Sequence, residues 1–518
     1  MHTSSDRRRR NAPLLLAGLV IGLASIALYL PSFGHQFVNF DDNQYVSENP
    51  MVRGGLTLPA VRWAFTTGHA SNWHPLTWLS HMLDVELSGL QPAGHHLTNV
   101  LLHATAAVAL LVLTAGLTGR IWAALFIAAL FAAHPLHVES VGWVAERKDV
   151  LSGLLWILAT GAYLWYRRRP ALPRYLLVSL LFAAALLAKQ MPVTFPLLLL
   201  LLDWWPLGCF DPARPGAARR ARELLVEKIP WFLLAAAAAV VVYQVQKNFG
   251  AMGTTTQFPA AVRTANAAVS YVWYLGAALW PARLAVVYQH PVNTIPGWQS
   301  LGAAAILLAV TSAAVGTVRR APYFLVGWLW YLVALLPAIG LVQVGEQARA
   351  DRYTYIPLVG IFLLAAWSVS ELVARRPRLR GLAAALGAAV IFGFALVTAA
   401  QLFYWRDGVT LFRHAVDVSP QSSLANNMLG EALGRAGRTA EASVFIAKAV
   451  ELDPSRKAYL HYSSAKHYFQ TMQIDKALAE YRITLELLPL YQVERRRTVL
   501  ESIDTIEKVL ARSQPRLP

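Results

Sequence analysis

RRRRNAPLLLAGLVIGLASIALYLPSFGHQFVNFDD, residues 7–42, places four arginines before a long apolar run and two aspartates after it. A helix that crosses a membrane needs ~20 mostly apolar residues, and residues 12–30 supply them. Basic residues stay on the inner side of a membrane, so the arginines at 7–10 hold the N-terminus inside and send Asp41 and Asp42 to the outer face. A secretory leader is the rival reading. The run is long and no small-residue cleavage site follows it, so it reads as a retained span. The polar, aromatic stretch PSFGHQFVNFDDNQYVSENP, residues 31–50, is too short for a domain and reads as part of a site held at the membrane face.

Composition agrees. With 56% hydrophobic and 14% charged residues over 518 positions, the chain is excluded from the ordinary soluble enzymes. The net charge of +17 raises the question of nucleic acid. The basic residues gather in short clusters between apolar runs, as membrane orientation requires, so no nucleic-acid partner is expected. Cys209 is the only cysteine and lies beside a basic stretch assigned to the cytoplasm, so no intramolecular disulfide is possible.

Further spans read at 97–118, 121–136, 150–166, 174–188, 191–205, 230–247, 300–318, 322–342, 355–374 and 382–403. The basic groups at 167–169, 214–228, 319–320 and 375–380 then fall on one side. Residues 266–287 resist this register, because a full crossing there would move Arg319 and Arg320 outside. A re-entrant or broken helix near Trp280-Pro281 is one solution, tolerated where it is buried in protein or lines a cavity. The expected fold class is all-α: a polytopic transmembrane bundle of about eleven spans over residues 1–403, with outer loops at 31–96, 134–149 and 343–354.

Residues 404–518 change character. They are polar, helical in pattern and repeat at about 34 residues, with Pro420, Pro454 and Pro489 closing successive units. Leu429-Gly430, Ala442 and Phe445 in one unit answer to Ser464-Ala465, Ala477 and Tyr481 in the next. Alternating small and large residues let paired helices nest, and the pattern resembles tetratricopeptide repeats, hence a C-terminal α-solenoid. The bland alternative is a generic helical hairpin domain. Such a concave face suits a peptide or protein partner.

The outer segments hold most of the chemistry-bearing residues. Nine of the fourteen histidines fall between His35 and His137, a concentration that packing alone does not explain. On a helix, His96, Asn99 and His103 share one face. Polar groups at that depth point into the bundle. His134-x-x-His137 is a weak metal signal without a third defined ligand, and the neighbouring Glu139 is either a working carboxylate or a loop ion-paired with Arg147 and Lys148. Lys189 stands alone in a turn between two apolar runs, where it either snorkels to the interface or meets an anion. Arg349 and Arg352 flank Asp351 beside Tyr353 and Tyr355, so they either clamp a phosphate against an aromatic wall or pair with that aspartate.

PSFGHQFVNFDDNQYVSENP, NWHPLTWLSHMLD, HHLTNVLLH, AAHPLHVESVGWVAERKDVLSGL, LLAKQMPVTFPLLLLLLDWWP and ARADRYTYIPLVG occur in this order before the repeats. Together they resemble the transmembrane and tetratricopeptide repeat-containing protein family and its bacterial relatives, over nearly the whole chain. That family is similar to the GT-C-type glycosyltransferases, which use a sugar linked to a polyprenyl phosphate. Its animal members are implied to be protein O-mannosyltransferases of the secretory lumen. The resemblance implies an acidic pair in the first outer loop, matched by Asp41 and Asp42, and a further acid in a later loop, matched by Glu139. The basic clusters put the N-terminus inside and the repeats outside, and the Ala/Arg/Leu usage looks bacterial, so the expected place is a bacterial inner membrane with the N-terminus cytoplasmic and the repeats periplasmic, among membrane lipids.

The roles expected on that basis follow the chemistry. An acceptor hydroxyl, of protein Ser/Thr or of a glycan, attacks the anomeric carbon while a carboxylate takes its proton. Asp41 or Asp42 is the base and Glu139 positions the acceptor. Arg352, Lys148, Lys189 and Arg349 are expected on the donor phosphate, and His74, His96, Asn99, His103 and His137 line the acceptor side. No cofactor is certain; a divalent cation held by one aspartate of the pair is open, as is a purely structural Asx turn. A lipid or glycan transporter and a membrane-anchored repeat scaffold are the rival functions. Inverted repeats are not visible in support of the first, and eleven spans exceed what the second needs.

Overall fold

The apolar runs become helices whose ends are marked by proline and glycine. The computed structural model describes residues 4–38, 40–211, 213–248, 258–291, 294–454, 457–470, 472–488 and 493–513. Helix α1 (Ser4–Tyr29) leads into the first outer segment. Helices α2 (Pro75–Ser88) and α3 (Pro92–Thr118) both begin at proline, whose missing N–H costs nothing there. They end at Gly89 and Gly119, both at positive φ, where a side chain would be strained. Helix α3 is central and packs on α1, on α4 (Ile121–Ala133) and on α5 (Arg147–Arg168). Helix α4 bends by 53° at His134-Pro135 into the short helix Val138–Gly142, which brings Glu139 onto the outer side of the bundle.

The remaining apolar helices are α6 (Leu172–Ala188), α7 (Phe195–Trp204), α8 (Ala217–Asn248), α9 (Ala260–Leu279), α10 (Gly297–Gly316), α11 (Pro322–Leu335), α12 (Leu358–Arg375) and α13 (Arg380–Tyr404). Among the described residues, six helical stretches are long and apolar enough to cross a membrane, and the bent segment makes a seventh. Residues 172–188, 191–204 and 322–338 form shorter apolar helices. This is a multi-pass, all-α membrane body whose only strands among the described residues are β1 (Tyr288–Gln289) and β2 (Gln347–Arg349), paired antiparallel. Helices α11 and α12 touch backbone to backbone at Gly327 and Gly360, the close approach that small residues permit between membrane helices. At the end opposite the Asp pair, buried Lys228 of α8 holds Asp203 of α7 at 2.5 Å, and Tyr163 of α5 donates to the same aspartate at 2.7 Å.

The segment at 266–287 breaks at Trp280-Pro281, the broken helix that the charge pattern offered as one solution. Helix α9 starts earlier, at Ala260, stops at Leu279, and gives way to extended chain that ends in β1. Asn266 donates to Ala348 O at 3.1 Å and Tyr274 to Ala350 O at 3.0 Å, while His134 reaches Ala278 O at 3.0 Å. Most of the length of α9 is thus bonded to the connectors beside Glu139 and before Asp351.

Beyond α13 come six further helices: α14 (Gly408–Val418), α15 (Ser423–Arg435), α16 (Thr439–Leu452), α17 (Lys457–Gln470), α18 (Ile474–Leu487) and α19 (Val493–Ser513). Helices α15 and α16 pack as one pair and α17 and α18 as the next. Gly430 lies against Ile446 and Ala442, and Ala465, Ala477 and Tyr481 are buried together in the second pair. The small/large pattern therefore marks contact positions. Pro489 lies outside the described residues, as do the side chains of the arginines at 7–10. The array is bonded to the membrane body: Gln36 donates to Arg406 O at 2.9 Å, and Trp405 stacks on Trp143 with centroids 5.6 Å apart.

Candidate active site

The two aspartates of the pair have opposite surroundings. Asp42 is buried, with Oδ2 accepting from Val38 N and Oδ1 from Ala145 N, each at 2.8 Å. It pins the first outer loop to the turn at 144–146. Asp41 has φ 66°, a left-handed conformation that aspartate tolerates better than most side chains. Its partly buried carboxylate makes no hydrogen bond or ion pair among the described residues. Burial raises the Asp41 pKa, while Lys148 and Arg352 nearby pull it back. Asp42 is pushed up further, burial outweighing its two amide donors.

Beside Asp41 stands a cluster of three cations around one acid. Glu146 Oε1 lies 3.1 Å from Lys148 Nζ and 3.2 Å from Arg352 Nε, and its Oε2 lies 3.0 Å from Lys189 Nζ. Burial alone would raise the pKa of Glu146, but the three cations hold it well below the usual carboxylate range. Lys189 also meets Asp149 at 2.7 Å, so the anions this lysine meets here are protein carboxylates. Asp149, buried and next to the negative Glu146, is pushed up to about 7. Arg352 binds Glu139 through both its backbone amide, at 2.9 Å, and its guanidinium. Asp351 does not pair with Arg352 and instead accepts from the Tyr288 hydroxyl at 2.9 Å.

Lys148 is aimed by aromatic faces. Its ammonium lies 4.5 Å from the Tyr45 ring centre and 5.7 Å from that of Trp143, within cation–π range. The Tyr45 hydroxyl in turn meets His74 Nε2 at 2.8 Å. Burial, then Lys148 and Lys189, hold His74 well below its ordinary pKa, so it is a neutral partner.

The other expected acceptor-side residues lie inside the bundle. His96, Asn99, His103 and His137 are all buried. Asn99 takes the Arg147 guanidinium and donates to Trp143 O at 3.0 Å. His103 meets the Tyr355 hydroxyl at 2.9 Å, His137 the Phe131 carbonyl at 2.8 Å, and His96 packs edge-on against His35. Asn99 on Trp143 O and His137 on Phe131 O meet carbonyls left free where helices break. Arg349 lies over Trp273, apart from the Glu146 cluster.

Sequence reasoning passed over Glu146, Asp149 and Tyr45. The signal for the first two was present: Glu146-Arg147-Lys148-Asp149 sets four charges at the head of an otherwise apolar helix. Arg147 itself points away from the cluster, to Asp84 at 2.6 Å, His95 O at 2.7 Å and Ser80 at 2.8 Å. This buried anchor fixes the turn that presents Glu146 and Lys148.

His81, Asp84 and His95 also bring three metal-type ligand atoms within 4.8 Å of one another. The Asp84 oxygen nearest the histidines already holds Arg147 and lies 3.3 Å from His95 Nδ1. Its charge is neutralised by the arginine, and the set does not fit a divalent cation well. A small cavity is lined by Asp149, Arg352 and Tyr353 together with the apolar Trp156, Leu198 and Ala334.

Comparison with known proteins supports the motif reading. No family model matches the sequence. The chain is 26% identical to "Protein O-mannosyl-transferase Tmtc1" of Drosophila melanogaster over 86% of its own length and 63% of that protein. It is 26% identical to "Protein O-mannosyl-transferase TMTC1" of Homo sapiens over 91% and 59% of the two chains, and 25% identical to human "Protein O-mannosyl-transferase TMTC4" over 82% and 65%. The chain thus spans about three-fifths of the length of these curated relatives. Its homologues are transmembrane and tetratricopeptide repeat-containing protein O-mannosyl-transferases, the family that the ordered motifs resemble.

Proposed function

Starting from that kinship, we propose that this chain is a membrane glycosyltransferase that moves a mannosyl unit from a polyprenyl-phosphate donor to a Ser/Thr hydroxyl of a protein on the outer face of a bacterial inner membrane. The observation that carries the reading is the pairing of an unbonded carboxylate, Asp41, with the cations Lys148, Lys189 and Arg352 gathered on Glu146. Eleven crossings, with α9 lying flat on the outer face, keep every basic connector inside and place the repeats outside.

In this mechanism the acceptor oxygen attacks the anomeric carbon and the bond from that carbon to the phosphate oxygen breaks. Asp41 takes the acceptor proton, its raised pKa making it a stronger base than an ordinary aspartate. Lys148, Lys189 and Arg352 offset the charge that develops on the leaving phosphate. A single displacement inverts the anomeric centre. The apolar residues Trp156, Leu198 and Ala334 beside Arg352 suit contact with the first part of an isoprenoid chain, whose remainder lies in the surrounding lipid. The α14–α19 array, read as tetratricopeptide repeats, receives the acceptor protein. A divalent cation on the donor phosphate beside Asp41 is compatible with this arrangement.

The test is transfer by the purified chain in lipid nanodiscs from a radiolabelled polyprenyl-phosphate mannose to Ser/Thr-containing peptides and periplasmic proteins, with and without EDTA. Label on serine or threonine is expected. Label that appears only on glycan, or folded protein that transfers nothing to any acceptor, overturns the reading.

A further inference from the structure

Residues 283–289 lie between the membrane body and the C-terminal array and are bonded to both. On one side Arg283 donates to Val418 O at 3.0 Å and His414 meets Leu284 O at 2.9 Å, both groups from α14 or its end. Gln289 then enters the start of α15. Its Oε1 accepts from Ser422 at 3.0 Å and from Ser423 and Leu424 N at 3.3 Å, and its Nε2 donates to Ser423 at 3.0 Å. The first amides of a helix have no partner within it. A side chain from the membrane body therefore completes the N-terminus of this array helix.

On the other side the same strand pairs with β2, Tyr288 opposite Arg349 and Gln289 opposite Gln347. The Tyr288 hydroxyl then reaches one step further, to Asp351, the residue before Arg352. A continuous set of short bonds thus runs from α15 through Gln289, β1 and β2 to the turn that carries Arg352. Ser422 and Ser423 are buried, so water does not replace these bonds freely.

We infer that Gln289 is a positioning residue, which fixes the Arg352 turn by tying it to the first helical pair of the array. The array is then a structural part of the transfer site, and a polypeptide seated on it acts on the cation cluster through β1. The inference rests on the transferase reading for its functional consequence, but its structural content stands separately.

Hydrogen exchange of the full-length protein in nanodiscs tests it, with kinetics alongside. In Gln289→Ala and, from the opposite side, Ser423→Ala, amides of residues 347–353 should exchange about tenfold faster with α3 and α5 unchanged. KM for the lipid donor should rise about fivefold with the acceptor KM rising less, and Gln289→Glu, which keeps the accepting oxygen, should restore most of both. Unchanged exchange at 347–353 in both variants overturns the inference, as does an increase spread evenly over the whole chain. If the wild-type protein transfers no sugar, the functional reading fails while the exchange pattern still decides this one.

Discussion

Arg352 binds Glu139 twice, through its backbone amide at 2.9 Å and through its guanidinium, and it also meets Glu146 at 3.2 Å. Residue 139 follows the bend after α4 and residue 352 precedes α12, so this pair closes the outer face of the bundle. Removing one member of a buried pair costs more than the pair contributes, because the other charge is left without a partner. The same contacts make the site stiff before any substrate arrives. Preorganised charge of this kind is what stabilises a developing anion.

The two aspartates should separate by assay. Asp41→Asn keeps the backbone preference and should lower transfer by about 10²–10⁴-fold with thermal stability unchanged. Asp42→Asn leaves at least one of the two amides at Val38 and Ala145 facing an NH₂ group, and should cost about 1–3 kcal/mol of stability. Mass spectrometry of acceptor peptides together with melting curves checks both.

Glu146→Gln should be among the most damaging single changes, since Lys148, Lys189 and Arg352 lose their shared counter-charge. A loss of about 3–5 kcal/mol is expected, read as a lower unfolding midpoint in detergent. Glu146→Asp should recover part of it.

Donor binding should weaken as pH rises through about 7, the value to which Asp149 is pushed. Below it Asp149 is neutral and Lys189 is opposed by Glu146 alone; above it a second negative charge stands 2.7 Å from the lysine and weakens its pull on phosphate. Because the folded pKa lies above the ordinary aspartate value, ionisation of Asp149 also lowers stability as pH rises between the two. Asp149→Asn should flatten the donor KM profile between pH 6 and 8, about one unit on either side of the titration. A profile that stays as steep in the variant rules Asp149 out as its origin.

Glycine substitutions should sort by contact. A Cβ at Gly360 meets Gly327 O and lies 2.8–2.9 Å from Trp330, so Gly360→Ala should cost about 1–3 kcal/mol. A Cβ at Gly302 of α10 meets nothing within 4 Å, and alanine there should leave stability unchanged or raise it by up to about 1 kcal/mol. Thermal unfolding of both variants in one detergent makes the comparison.

Much of this body was legible because apolarity over a helix length states burial or lipid contact directly. The acid pair, Glu139, Lys148, Lys189 and Arg352 stand out in the sequence, since charges between apolar runs are conspicuous. What escaped was direction. Lys189 in a lone turn gives no sign that its partners are Glu146 and Asp149, some forty residues earlier. The histidine concentration has a structural component that spacing does not state: a neutral imidazole is flat and partly apolar, and inside a bundle it can meet carbonyls freed at bends. His134 on Ala278 and His137 on Phe131 do this. Arg349 and Arg352 look equivalent in sequence, yet strand pairing turns one toward Trp273 and the turn after it aims the other at Glu139.

The left-handed backbone at Asp41 restricts which residues this position can hold in any descendant of the chain. Glycine and asparagine keep the conformation but bring no base, whereas glutamate brings a base but fits the conformation poorly and extends it by one carbon. The genetic code adds that asparagine and glycine are each a single nucleotide from aspartate. Loss of the base with the fold intact is therefore a short mutational step, whereas glutamate, equally one nucleotide away, keeps an acid at the cost of the conformation.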